Sequence, residues 1–119
     1  MKQGFVKVAS ATPRIRVADP VYNAQVICEQ AKEAAEHGAK IVVFPELCIT
    51  GYTCNDLFLQ ELLLEKAKEA LLTIVEETGQ LEALFLVGLP VDKDGRLYNV
   101  AAVLYRGRIL GMIPKKNIP

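Results

Sequence analysis

Residues 41–58 read IVVFPELCITGYTCNDLF. Ile41 to Phe44 are apolar and mostly β-branched, the pattern of a short strand buried on both faces of a sheet in an α/β protein. Pro45 cannot extend a hydrogen-bonded ladder, so the strand ends there. The next residue is an acid, Glu46, followed by Cys48, Tyr52, Cys54 and the pair Asn55–Asp56. A carboxylate at the end of a buried strand has two readings. It marks the chain's exit into water, or it is aimed into the crevice that α/β proteins form at their strand ends.

The segments on either side set this strand in an alternating pattern. Phe5 to Ala11 are β-prone and lead into the polar loop TPRIRVADP. Asp19 before Pro20 is a helix start, an acceptor for orphan amides followed by a residue with a preset helical φ. Val21, Ala24, Ile27, Cys28, Ala31, Ala34 and Ala35 then recur at spacings of three and four, which predicts one buried helical stripe ending at Gly38. His37 beside that glycine reads as a last-turn residue that suits the helix dipole, in preference to a catalytic group. Beyond the opening stretch, Asp56 or a near neighbour opens a second helix, in which Leu62, Leu63, Ala67, Ala70, Leu71, Ile74 and Val75 carry the helical period up to Gly79. The leucines alternate with Glu65, Lys66, Lys68 and Glu69, so core packing is preferred to an interaction zipper. ALFLVGLPV is a further buried strand, DKDG a turn with Gly95 free to take positive φ, and RLYNVAAVLYR a strand. Gly107 offers a second turn before RILGMIP. The order β-α-β-α-β-β-β predicts an α/β fold, a mixed sheet with flanking helices on one or both faces.

Composition narrows the function classes. The 119 residues hold 14 basic and 14 acidic side chains, dispersed along the chain, which argues against nucleic-acid or membrane-surface binding through bulk charge. That length corresponds to one domain at most. MKQGFVKVAS has a lysine within its short apolar core and no run reaches membrane-spanning length, so the expectation is a soluble, unexported, cytoplasmic protein. Three cysteines and one histidine at these spacings favour neither a disulfide framework nor a structural metal site. No glycine-rich phosphate loop follows any strand, so the segment itself offers no ATP or dinucleotide site and no cofactor is expected in it.

Two places share a grammar. In VVFPE and GMIPK an apolar strand ends at proline and the next residue is charged, Glu46 in one and Lys115 in the other. An acid and a base could face one pocket if the strands lie near each other. By spacing alone, exit into water with a weak surface ion pair is the stronger reading. A thiol nucleophile needs a base to form thiolate, and with the only histidine assigned to a helix end, packing is preferred for Cys28, Cys48 and Cys54.

VVFPELCITGY, with GRLYNVAAVLYRGRILGMIPKKNIP downstream, resembles the first half of a nitrilase-superfamily (carbon-nitrogen hydrolase) domain, and the resemblance runs through nearly the whole chain. The continuation GYTCNDLFLQ is similar to the N-terminal glutaminase domains of glutamine-dependent NAD synthetases. The resemblance implies the first half of a four-layer α-β-β-α sandwich spanning residues 1–119, with apolar surface left exposed and poor solubility when this half stands alone. The ending at PKKNIP, with nothing to cover the last strand, agrees with such a fragment. The resemblance further implies a Glu-Lys-Cys triad, with Glu46 as general base, Lys115 rather than Lys116 stabilising the oxyanion, and a cysteine nucleophile beyond Pro119. Tyr52 would line the pocket for the substrate L-glutamine. A C-terminal synthetase domain would use ATP and Mg2+ to amidate nicotinic acid adenine dinucleotide, and the superfamily implies a homo-oligomer. Two alternatives stand beside this reading: a free-standing nitrilase-family amidase acting on another small amide, and a catalytically silent assembly module.

Overall fold

Asp19 caps the first helix as its sequence predicts, its side chain accepting from the amide of Tyr22 at 3.2 Å, with Pro20 at the first helical position. The structure, a computed structural model, describes residues 7–16, 19–45, 48–49, 57–94 and 96–114. Among them the elements run β1 (Val8–Ser10), α1 (Pro20–Glu36), β2 (Ile41–Val43), α2 (Leu57–Glu77), β3 (Leu84–Lys93), β4 (Arg96–Tyr105) and β5 (Arg108–Pro114). His37 follows α1 as its C-cap, and Gly38 takes the left-handed φ of 87° that lets the chain turn back. The residues assigned to the start of the second helix, Asp56 among them, and Gly95 lie outside the described residues.

The five strands form one sheet in chain order, β1-β2-β3-β4-β5. β1, β2 and β3 are parallel, while β3–β4 and β4–β5 are antiparallel hairpins. The β4–β5 turn is two residues, Arg106 at φ 48° and Gly107 at φ 80°, the positive angles that match a two-residue turn to the twist of the strands. β5 carries a bulge at Leu110, the residue skipped where the register shifts between Val103 and Leu104.

Register decides what is buried. Ala9, Val42, Phe85, Leu104 and Ile109 form one cross-strand row, and Val87, Ala102 and Met112 form the next on the same face. The central members of these rows, with Phe44, Leu89 and Val100, join one core with Ala24, Ile27, Cys28 and Ala31 of α1 and Ala67, Ala70, Leu71 and Ile74 of α2. Both helices therefore cover the same face. Removing each large apolar side chain from water contributes roughly 1.5–3 kcal/mol, so this face supplies most of the stabilisation. The exposed Lys32–Glu77 pair joining the two helices at 3.4 Å adds little by comparison. Among the described residues no helix is long and apolar enough to cross a membrane.

Three expectations are corrected. β2 is not buried on both faces: Val42 is fully buried, but Val43 is 37% exposed, because helices pack on one face only. Val21 is 63% exposed, since the α1 stripe centres on Pro20, Ala24, Ile27 and Ala31 and a residue one step round the helix from Pro20 leaves its margin. Leu62 is 48% exposed for the same reason, lying one step from the Leu63–Ala67–Ala70–Ile74 line. The uncovered face of the sheet carries Val8, Val43, Tyr105 and Ile113 as exposed residues, with Ile41, Leu84, Leu86, Ala101 and Val103 half-buried among them. Phe85, 1% exposed at the centre of the helix-covered row, sets the scale of the core. Phe85→Ala is expected to destabilise the fold by about 3–5 kcal/mol, read as a lower urea midpoint; a midpoint within error of the unmodified protein would show that the row is not the core.

Candidate functional site

β2, β3 and β5 point the same way, because β2 and β3 are parallel and two antiparallel steps lead from β3 to β5. Their C-terminal ends consequently share one end of the sheet. Phe44 donates its amide to Leu86 O at 2.9 Å, while Pro114 is opposite Val100, which is opposite Leu89 on β3. The two proline ends thus reach nearly the same height on β3. Three strand spacings separate them, about 14 Å of backbone at roughly 4.8 Å each. Pro45 and Pro114 are both exposed at that end. The residues that follow them, Glu46 and Lys115, lie outside the described residues, as do Tyr52, Cys54 and Lys116.

Downstream of Glu46 the chain is anchored. Ile49 donates its amide to Gly88 O at 3.2 Å, and the Cys48 thiol donates to the same carbonyl at 3.6 Å. Cys48 and Ile49 are fully buried against β3, beyond the point where β2 has ended. A third tie comes from α1. Asn23, also fully buried, donates from Nδ2 to Ile49 O and to Arg16 O, both at 2.7 Å, and accepts at Oδ1 from the Arg16 amide at 2.6 Å. One side-chain amide thereby joins the β1–α1 loop, the first turn of α1 and the loop after β2. The sequence reading did not single out Asn23. Its signal was a polar residue at a position the helical stripe requires to be buried, directly before Ala24 and four before Ile27.

Two of the three cysteines are where packing put them. Cys28 and Cys48 are both buried and unpaired by any disulfide. Burial pushes the Cys28 thiol up to about 11 from an ordinary 9.0, with Glu77 adding to the rise, and burial likewise pushes Cys48 up to about 11. Neither supplies thiolate near neutral pH. His37 is exposed at the end of α1, its Nδ1 2.8 Å from Glu33 O and its own carbonyl accepting from Lys7 Nζ at 2.6 Å. It is remote from the proline ends, since α1 runs back toward the start of β2. Among the described residues no cluster of His, Cys, Asp and Glu could hold a metal ion. A cleft of about 380 Å³ between the start of α2 and the end of β3 is lined, among the described residues, by Glu61, Leu62, Leu64, Glu65, Lys68 and Asp92, with no thiol or hydroxyl group among them.

The carbon-nitrogen hydrolase family profile matches residues 7–118. The chain is 39% identical over 118 residues to the glutamine-dependent NAD(+) synthetase of Mycobacterium bovis, covering 99% of this chain and 17% of that protein. It superposes with a TM-score of 0.85 on the crystal structure of a glutamine-dependent NAD(+) synthetase from Cytophaga hutchinsonii, at 29% identity over 96% of this chain and 19% of that one. An amidase of the nitrilase superfamily from Nesterenkonia AN1 shares the fold, with a TM-score of 0.77 at 23% identity over 96% of this chain and 44% of that one. The mixed sheet with helices on one face is thus a nitrilase-type arrangement, and the chain spans about a fifth of the length of the synthetases it matches.

Because both thiols titrate later in the folded chain than in the unfolded one, the folded state holds more protons between pH 9 and 11. Their contribution to stability is complete below about pH 9 and is lost as pH rises toward 11. At pH 8, iodoacetamide is expected to leave Cys28 and Cys48 unlabelled in the native protein and to label both after unfolding, read by peptide mass spectrometry. Native labelling of either at the unfolded rate would contradict the burial.

Proposed function

This chain belongs to the carbon-nitrogen hydrolase family, and from that premise we propose that it is the glutamine-hydrolysing part of a glutamine-dependent NAD synthetase. It would supply ammonia through a Glu-Lys-Cys triad of which it carries Glu46 and Lys115. The observation that carries the reading is the 39% identity to the M. bovis synthetase across 118 residues, a span that takes in both proline-ended strands. The parallel course of β2 and β5 supports it, since the residues after Pro45 and Pro114 leave from one end of the sheet.

The chemistry assigns each group a step. A cysteine thiol from outside these 119 residues attacks the side-chain amide carbon of glutamine. Glu46 accepts the thiol proton as the C–S bond forms and delivers it to nitrogen as the C–N bond breaks, releasing ammonia. The amide oxygen carries negative charge in the tetrahedral intermediate, and the Lys115 ammonium stabilises it. Water then attacks the thioester, Glu46 takes its proton, the sulfur leaves and recovers a proton, and glutamate is released. Cys28 and Cys48 have no part in this, being buried and protonated. Tyr52 lines the glutamine pocket. The ammonia passes to a C-terminal synthetase domain that uses ATP and magnesium, in a cytoplasmic homo-oligomer.

In the full-length protein, Glu46→Gln is expected to lower glutamate release from glutamine by about 10²- to 10⁴-fold, the range of a positioned general base. Unchanged hydrolysis would remove Glu46 from the mechanism. Hydrolysis of other small amides in preference to glutamine by the unmodified protein would favour a free-standing amidase, and no hydrolysis at all a silent assembly module.

A further inference from the structure

Asn23 is fully buried, and among the described residues every hydrogen bond it makes through its side chain goes to backbone of a loop at the proline ends. Its amide pairs with Arg16 as a neighbouring strand would, accepting from the N–H and donating to the C=O, and its second N–H reaches Ile49 O. Ile49 is three residues after Glu46. On the upstream side the chain is fixed by the Phe44 amide on Leu86 O, and on the downstream side by the Ile49 amide on Gly88 O. Those two backbone bonds hold Phe44 and Ile49 against β3. The Asn23 bond acts from a different direction, tying Ile49 to α1 on the helix-covered face. A backbone held from two directions loses the freedom to rock about the strand edge, which is the freedom that would carry a side chain at position 46 toward or away from a reacting atom.

We propose that Asn23 is a positioning residue for Glu46: it fixes the loop after β2 against the first turn of α1 and so sets where the general base stands. The inference rests on the reading of Glu46 as the base. Asn23 touches no reacting atom and acts only through Ile49 and Arg16. A buried side-chain amide satisfied on both of its ends holds Arg16 and Ile49 to α1, whereas an apolar residue there would leave the Arg16 N–H, the Arg16 C=O and the Ile49 C=O seeking other partners.

The test uses the full-length protein and steady-state release of glutamate from glutamine. Asn23→Asp keeps the shape but replaces two N–H donors by an acceptor facing two carbonyls, and Asn23→Ser shortens the side chain so that it cannot bridge both loops. Each is expected to lower kcat on the order of 10- to 100-fold with KM for glutamine within about twofold. Amide exchange in the peptide covering residues 44–50 is expected to accelerate, while exchange in residues 66–77 stays as it was. Ile74→Ala serves as the comparison, because it opens a cavity near the far end of α2 and lowers the melting temperature without touching either loop. Wild-type kcat in both Asn23 variants, or kcat losses in Ile74→Ala matching theirs, would reduce Asn23 to a stabilising residue and overturn the proposal. So would unchanged exchange in residues 44–50. Glu46→Gln measured in the same assay separates the two readings: if it retains full hydrolysis, the assignment of the base fails and takes this inference with it. If it is inactive while the Asn23 variants are not, only the positioning role fails.

Discussion

The pleat commits Ala9, Val42, Phe85 and Leu104 to one face of the sheet, and α1 and α2 seal that face alone. Everything else in the structure follows from this one-sided burial. Parallel strands need long crossovers, and with the strands in chain order both crossovers pack on the same side, so the first three strands and two helices form one continuous unit. β5, at the far edge of the last hairpin, then extends the sheet beyond the reach of the helices. β5 consequently stands exposed along its whole length, and the second face of the sheet presents Val8, Val43 and Ile113. An exposed apolar face of this kind is what a sandwich of two sheets would cover, in keeping with the nitrilase-type fold.

The same topology sorts the strand ends. With β2, β3 and β5 running in one direction, the chain leaves Pro45 and Pro114 from one end of the sheet, nearly level on β3. The antiparallel strand between β3 and β5 is what makes that possible, since a single hairpin would have sent β5 the other way. Rigid backbone ends with proline stops are suited to hold charged groups at fixed separation. Past the end of β2, Asn23 and Gly88 each hold the backbone of Ile49.

Much of this could be read from residue pattern, and the misses have physical causes. Asp19–Pro20, Gly38 and Gly107 act locally, so their sequence signals were sufficient to place α1 and the last hairpin, although Arg106, read as strand, belongs to that turn. The order of elements was legible because each has its own hydrophobic period. What failed was burial on two faces of β2, since an apolar run records what a strand can tolerate and not how many faces its neighbours cover. Val21 and Leu62 were misplaced because spacings of three and four admit a stripe wider than the one the sheet actually contacts. Asn23 was passed over because its value lies in three bonds to residues distant in sequence, which no local pattern encodes. For the proposed site, the repeated strand–proline–charge pattern marked Glu46 and Lys115 but by itself favoured exit into water; the family resemblance gave them their roles, and the direction shared by their strands needed the sheet.

The central claim is that Glu46 and Lys115 serve one reacting centre. A double-mutant cycle on glutamate release in the full-length protein, with Glu46→Gln, Lys115→Met and the two combined, tests it most directly. Groups that act on one transition state lose their effect together, so the double variant is predicted to be about as slow as the slower single variant. Losses that multiply would mean that the two strand ends work independently, and would contradict the account.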